Sequence, residues 1–356
     1  MKALSTMLMT VSFFGTVFLF GFFEKNNMTI VGGGDPMSAS VFFTQSTTST
    51  QLRAVFETAS STKKKLNVLI VPGHEPNFGG AEFLNITERD LNAELSLYLA
   101  RYLVEDGHYE VAMTRGTDGW NPHLENYFAA NSEDIKAFVH SQKTEMFQLA
   151  EEGKIILIPD PVSHMDAPNG AALRLYGVNK WANEHKVDII IHVHFNDNSP
   201  RRAGAPGEYN GFTIYTPERQ YSNSQASLDI SRHIFKRLSK MFPVSNLPVE
   251  DQGIVEDQEL IAIGSNNTVD GASMLIEYGY IYEPQFRVQA VRNIVLKELA
   301  FQTYLGLADF FGEKSLIIGA HQSTLLPYDG KVSVEKTALA NMEVLKFQAA
   351  LSDKGF

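Results

Sequence analysis

Residues 66–74 read Leu-Asn-Val-Leu-Ile-Val-Pro-Gly-His, and residues 188–196 read Asp-Ile-Ile-Ile-His-Val-His-Phe-Asn. Each is a short apolar run, one closed by a Pro-Gly turn and the other ending in polar residues. Runs of this length and composition predict strands buried on both faces. Working outward, Thr87 stands where it would cap a helix whose Leu91, Leu95, Leu99 and Leu103 recur at i, i+4 on one face. Residues 109–114 predict a strand, and a helix around Trp181-Ala182-Asn183 precedes the strand at 187–195. Further strands are expected at 212–216, 260–263 and 274–278, with helices over 224–241 and 285–310. Strands separated by helices imply an α/β fold: a twisted, mostly parallel sheet with helices on both faces, forming one domain over residues 66–311.

One segment breaks this rhythm. Residues 132–153 carry their own helical pattern (Ile135, Phe138, Val139, Phe147), followed by the apolar run 155–158. Residues 119–170 therefore read as an insertion on the substrate side. Residues 26–65, with Gly32-Gly33-Gly34 and a Ser/Thr-rich stretch from Ser46 to Thr62, read as a spacer.

The N-terminus speaks to compartment. Lys2 precedes residues 3–23, which contain no charged side chain, before Glu24-Lys25. Such a run is long enough to cross a bilayer as a helix, making residues 1–25 an uncleaved anchor. The other reading is a cleaved signal, with Ser38-Ala39-Ser40 as a distant small-residue cleavage pattern. Either way the remainder of the chain is expected to be exported, anchored outside the cytoplasmic membrane or secreted to the wall.

Composition narrows the chemistry. The 356 residues include 41 acidic and 30 basic side chains, a net −11, which is the wrong sign for a general nucleic-acid binder. There is no cysteine, so thiolate metal sites, disulfides and a cysteine nucleophile are excluded. Four other residues sit where hydrolytic chemistry needs them. His74 follows the first strand, Glu88 opens the first helix, His194 lies at the end of the 188–196 strand, and Glu277 lies late in Met-Leu-Ile-Glu-Tyr-Gly. Active sites of parallel α/β sheets form beyond the carboxyl ends of strands. Two imidazoles and a carboxylate supply zinc with three ligands and leave a position for water. A separate carboxylate is then needed to move the proton. His192 and His194 lie two apart on one strand and share a face, so residue chemistry alone leaves the choice between them open.

A family resemblance adds to this. The stretches Val-Pro-Gly-His74, Ile-Thr-Glu88-Arg-Asp-Leu-Asn, Val-Ala-Met-Thr-Arg115, Ala182-Asn183, Asp188 to Asn196 and Leu-Ile-Glu277-Tyr-Gly-Tyr occur in an order that resembles zinc-dependent N-acetylmuramoyl-L-alanine amidases of type 3. The likeness covers residues 66–311. It implies that His74, Glu88 and His194 bind Zn2+, that Glu277 is the catalytic base, and that the substrate is peptidoglycan. The family pattern places Asn two residues after the ligand histidine; Asn196 follows His194 by two, so His194 is preferred, and His192 replaces a small polar residue. His192, Asn196 and Arg115 are expected around the metal or the substrate. The chain departs from the family in Glu75-Pro-Asn-Phe after His74, in Arg174 near the position where an Arg is usual, and in the longer 119–170 segment. The competing readings are a zinc carboxypeptidase or other amidohydrolase acting on stem peptides, and a silent wall-binding regulator on the same fold.

After residue 311, a linker over 312–337 is expected. A helical pattern from Ala338 through Met342, Leu345, Gln348 and Leu351 follows. It either docks on the catalytic domain or, as its resemblance to the first helix of peptidoglycan-binding modules implies, begins a module of which the chain carries only a fragment.

Overall fold

The computed structural model describes residues 46–62, 64–162, 167–198, 201–264 and 267–312, together with the two-residue strands Leu325–Leu326 and Ala340–Asn341. Helix α1 spans Ser49–Thr62, β1 Leu66–Pro72, the short hairpin strands β2 Glu82–Phe83 and β3 Ile86–Thr87, α2 Glu88–Asp106, and β4 Tyr109–Met113. Next come α3 Pro122–Ala130, α4 Ser132–Glu151, α5 Asn169–Glu184, β5 Ile189–Asn196 and β6 Thr213–Pro217. The domain closes with α6 Ser224–Leu238, β7 Ile254–Asp257, β8 Ala272–Tyr280, α7 Pro284–Arg287 and α8 Gln289–Phe311.

Six strands form one sheet in the order β4-β1-β5-β8-β6-β7. β4, β1, β5 and β8 run parallel, as do β6 and β7, but β6 is antiparallel to β8. The reason is local. Parallel neighbours need a crossover, usually helical; among the described residues no helix lies between Asn196 and Thr213, and β6 starts at the end of the sheet where β5 stopped and runs back. The sheet is thus mixed rather than uniformly parallel. Its register sets Pro72 beside Val193 and His194 beside Glu277, gathering these residues at one end.

The larger core lies where α1, α2, α6 and α8 cover one face of the sheet. Leu91, Leu95, Leu99 and Leu103 of α2 are all buried there, against Val68, Ile70, Ile191 and Val193. Gly107, with φ 88°, ends α2 in the left-handed conformation usual after a helix. On the other face Val178 and Ala182 of α5 pack on Leu69, Val71 and Ile190. Thr87 precedes α2, but its hydroxyl donates to Asp90 Oδ2 at 2.6 Å and makes no cap to a backbone N–H.

Four further expectations are corrected. Within the expected spacer, residues 49–62 are helix α1, with Leu52 and Phe56 fully inside the core. The Thr48–Gln51 pair forms a capping box: Gln51 Oε1 accepts from the Thr48 N–H at 2.9 Å, and Thr48 Oγ1 from the Gln51 N–H at 3.2 Å. Apolar residues at 52, 55, 56 and 59 then give helical spacing, and Phe56 stacks on Phe311 at 4.2 Å and on His108 at 4.5 Å. Secondly, 260–263 is not a strand. Residues Ile261–Ile263 form a 3-10 turn whose Ala262 and Ile263 pack over Tyr215 and Leu275, and the edge strand is β7 instead. Thirdly, the buried residues of α4 are Ile135, Met146 and Leu149, while Phe147 is exposed. Fourthly, Ala340–Asn341 pairs in parallel with Leu325–Leu326, so the helix expected from residue 338 does not begin there. The rest of that pattern, the remainder of the linker and residues 1–45 lie outside the described residues. Among the described residues no helix is long and apolar enough to cross a membrane.

If α1 belongs to the core, Phe56→Ala will cost about 3–5 kcal/mol in urea unfolding, as for other buried phenylalanines. A loss within about 0.5 kcal/mol, typical of surface positions, would return residues 49–62 to the status of a spacer.

Candidate metal and hydrolytic site

His74 sits one residue past the β1 Pro-Gly turn in a left-handed conformation, φ 64°, which is uncommon for a residue with a side chain. Arg115 holds this turn. Its guanidinium is buried and donates to the carbonyls of Pro72, Gly73, His74, Gly116 and Arg89, at 2.7 Å for His74. Burial lowers the Arg115 pKa to about 10, so it keeps its charge at neutral pH. The chain is thereby fixed in a conformation that its local sequence would not choose.

Glu88, the first residue of α2, lies at the centre and is only 4% exposed. Its Oε2 is 2.7 Å from His74 Nε2 and accepts from the Ala81 N–H at 3.0 Å. Its Oε1 is 3.0 Å from His194 Nδ1 and accepts from the Phe195 N–H at 3.3 Å. Asn92, one turn along α2, is fully buried and bridges Glu88 Oε1 to the carbonyl of Gly73. Ligand atoms of His74, Glu88 and His194 all lie within 4.8 Å of one another. Two glycines make room: a Cβ on Gly73 would run into the His194 ring, and one on Gly80 into His74 and Glu88. Burial by itself pushes the Glu88 pKa up. The His74 charge and the hydrogen bonds from His194 and His74 outweigh it and hold the carboxyl well below the usual range. Burial pushes His194 down, with Glu88 opposing. At neutral pH an ionised Glu88 therefore faces a neutral His194, the protonation states of metal ligands. Two imidazoles and a carboxylate converging in a cradle of glycines fit zinc in number and type of donor.

Glu277 lies on β8 directly beside His194 of β5. Its Oε2 is shut from solvent and has no hydrogen-bond partner among the described residues. Burial raises its pKa well above the ordinary carboxylate value, and the negative charges of Glu88 and Glu250 raise it further. Of the remaining expected residues, Asn196 donates to Glu250 Oε1 at 3.2 Å, and Arg115 acts through the β1 turn. His192 points to the same face as His194 but deeper; it is 1% exposed, neither ring nitrogen has a partner among the described residues, and burial beside His194 brings its pKa to about 3. It is not among the three converging residues.

Two participants were not singled out in the sequence. Asn92 stood inside a quoted stretch, and its i+4 spacing from Glu88 was the available signal. Glu250 gave none. It is fully buried and accepts from Tyr215 OH at 2.6 Å, Ser245 Oγ at 2.5 Å, Tyr280 OH at 3.2 Å and Asn196.

A neutral imidazole, an ionised buried carboxylate and a second carboxyl with one oxygen unpartnered among the described residues form an arrangement suited to hydrolysis in an α/β enzyme. The family comparison agrees in class. The profile of the N-acetylmuramoyl-L-alanine amidases, Amidase_3, matches residues 68–153 and 154–309, and the chain belongs to this family. It is an enzyme that hydrolyses the amide bond between N-acetylmuramic acid and L-alanine in peptidoglycan. A search among curated proteins finds no match. Among solved structures, the chain is similar to the amidase AmiC2 of Nostoc punctiforme, with 16% identity, TM-score 0.41, and 70% of this chain and 98% of that one covered. It is also similar to an amidase of Clostridium difficile 630, with 16% identity, TM-score 0.42, and 70% and 98% covered. For Ami1 of Mycobacterium smegmatis the figures are 14%, 0.44, and 69% and 97%.

In metal-free protein, Glu277 is expected to titrate above the ordinary glutamate value of 4.5 when its carboxyl carbon is followed by NMR. Glu250→Gln removes one of the two neighbouring negative charges and should lower that midpoint. An unchanged midpoint would show that Glu250 does not reach Glu277 electrostatically.

Proposed function

We propose that the amidase works with zinc held by His74, Glu88 and His194, and that Glu277 moves the proton. The observation that carries this is the convergence of three donor side chains on one spot, with Glu277 in register beside it. Bound there, zinc would supply Lewis acidity, polarising the amide carbonyl and acidifying water. Everything else falls to the chain's own side chains. Glu277 takes the proton of the attacking water on its unpartnered Oε2 and returns it to the departing alanine nitrogen. Its raised pKa favours the uptake step, because the conjugate base of a weaker acid is a stronger base. Arg115 keeps the His74 turn in place, and Asn92 ties the Glu88 carboxylate to that same turn. His192 lies too deep to share these roles and serves as packing beside His194.

We also propose that the chain is exported, with residues 1–25 as anchor or signal. The uncharged run 3–23 and an extracytoplasmic substrate support this. The pattern from Val344 to Phe356 supports, more narrowly, a wall-binding module beginning there.

Elemental analysis of the purified chain should find about one zinc, lost in His74→Ala and His194→Ala and kept in His192→Ala. The reverse order for the two strand histidines would overturn the ligand assignment.

Glu277→Gln is expected to retain zinc and fold while slowing turnover by about 10²–10⁴-fold. Activity within a few-fold of the parent would remove Glu277 from the mechanism. Digests of peptidoglycan should release stems beginning with L-alanine, by mass spectrometry; single D-alanine as the product would identify a carboxypeptidase instead.

A further inference from the structure

The 119–170 insertion and the first turns of α5 line a pocket that the hydrolytic mechanism does not use. Its volume is about 330 Å³, at the small end for ligand sites. Trp120, Phe128 and Leu173 form its walls, and Glu125, Ser132 and Arg174 supply polar groups. The Trp120 and Phe128 rings meet nearly at right angles, with an interplanar angle of 85° and centroids 5.4 Å apart, making a flat-sided aromatic corner.

Both sides of the pocket are tied to the turn that carries His74. Trp120 pairs through its backbone with Arg115, whose guanidinium holds the His74 carbonyl. Arg174 grips Glu75, the residue after His74, with two hydrogen bonds of 2.5 Å. The pocket is therefore attached to the hydrolytic site rather than remote from it.

Its charge limits what enters. The Arg174 charge is already matched by Glu75, while Glu125 has no partner among the described residues, so the pocket presents one net negative charge. A free carboxylate of a stem peptide is repelled. An ammonium would meet Glu125 only where that side chain is exposed, and exposed ion pairs contribute little. The larger gain available is burial of a flat, partly apolar group against the two aromatic rings. A neutral ring with hydroxyl and acetamide groups matches this combination: one face for Trp120, hydroxyls for Glu125 and Ser132, and a carbonyl for Arg174 Nη1. An alkylammonium chain is too narrow to fill the corner.

We propose that this pocket binds an N-acetylated aminosugar ring of the glycan strand, holding the polymer beside the amide to be cut. This rests on the amidase function, since the scissile amide hangs from such a sugar. It makes Trp120 and Glu125 binding residues contributed by the insertion.

The test is a titration of the full-length chain with tetra-N-acetylchitotetraose, which carries the sugar rings and no peptide. The two tryptophans provide the readout and its control, because Trp181 stacks on His185, outside the pocket lining. The Trp120 indole NMR signal should shift saturably while that of Trp181 stays in place. Glu125→Gln, which exchanges a charge-assisted hydrogen bond for a neutral one at an exposed position, should weaken the affinity about two- to threefold with an unchanged melting curve. A still Trp120 signal, an equal shift at Trp181, or unaltered affinity in Glu125→Gln would overturn the proposal. So would Glu125-dependent binding of the tripeptide L-Ala-D-Glu-L-Lys, which would assign the pocket to the stem. Binding is read without turnover, so a chain that holds the saccharide but leaves peptidoglycan uncut would refute the hydrolytic reading and spare the pocket.

Discussion

A carboxylate buried as an ion is costly unless every lone pair is met, and Glu88 is where this chain accepts that cost. Its two oxygens receive groups from the β1 turn, the β2–β3 hairpin segment, α2 and β5. These segments converge there, and the glycines at 73 and 80 are dictated by the same crowding, since any side chain would enter the volume of the histidines. Arg115 provides the opposite service from beneath. It is a buried cation whose partners are backbone carbonyls, and so it fixes main chain where a carboxylate partner would only have fixed a side chain.

The mixed sheet gives Glu277 its neighbours. β8 lies between β5, which brings His194 alongside, and β6, which runs the other way and sets Thr213 opposite Glu277. The antiparallel junction also places Tyr215 where its hydroxyl reaches Glu250, and Glu250 in turn collects Ser245, Tyr280 and Asn196. Two carboxylates thus stand near one another under opposite conditions. Glu250 is met by four donors, whereas Glu277 keeps an oxygen without any among the described residues. Such a difference in solvation is what separates a structural carboxylate from one able to exchange a proton.

Where the sequence reading went astray, a stronger physical signal was masked by composition. The Ser/Thr-rich stretch before β1 looked like spacer, yet Thr48 and Gln51 cap a helix and Leu52 and Phe56 supply its buried edge. The apolar run at 260–263 looked like a strand, but it packs over the sheet as a short turn. In α4, Phe147 faces outward while Met146 and Leu149 face the core. Apolar content shows that a segment is buried; it does not show against what.

Local order along the chain was enough to determine the strands at 66–72 and 189–196, the leucine face of α2, and His74, Glu88, His194 and Glu277 as groups near strand or helix ends. Those features depend on periodicity, caps and turns, which act over a few residues. The convergence of His194, rather than His192, on His74 and Glu88, the left-handed His74 turn, the reversal of β6 and the Glu250 network appear only in the tertiary structure. Each depends on groups far apart in sequence meeting across the sheet: Glu88 and His194 are separated by 106 positions, and Arg115 and His74 by 41. A short-range pattern carries no record of such distances, because the interactions that select them exist only once the chain has closed on itself.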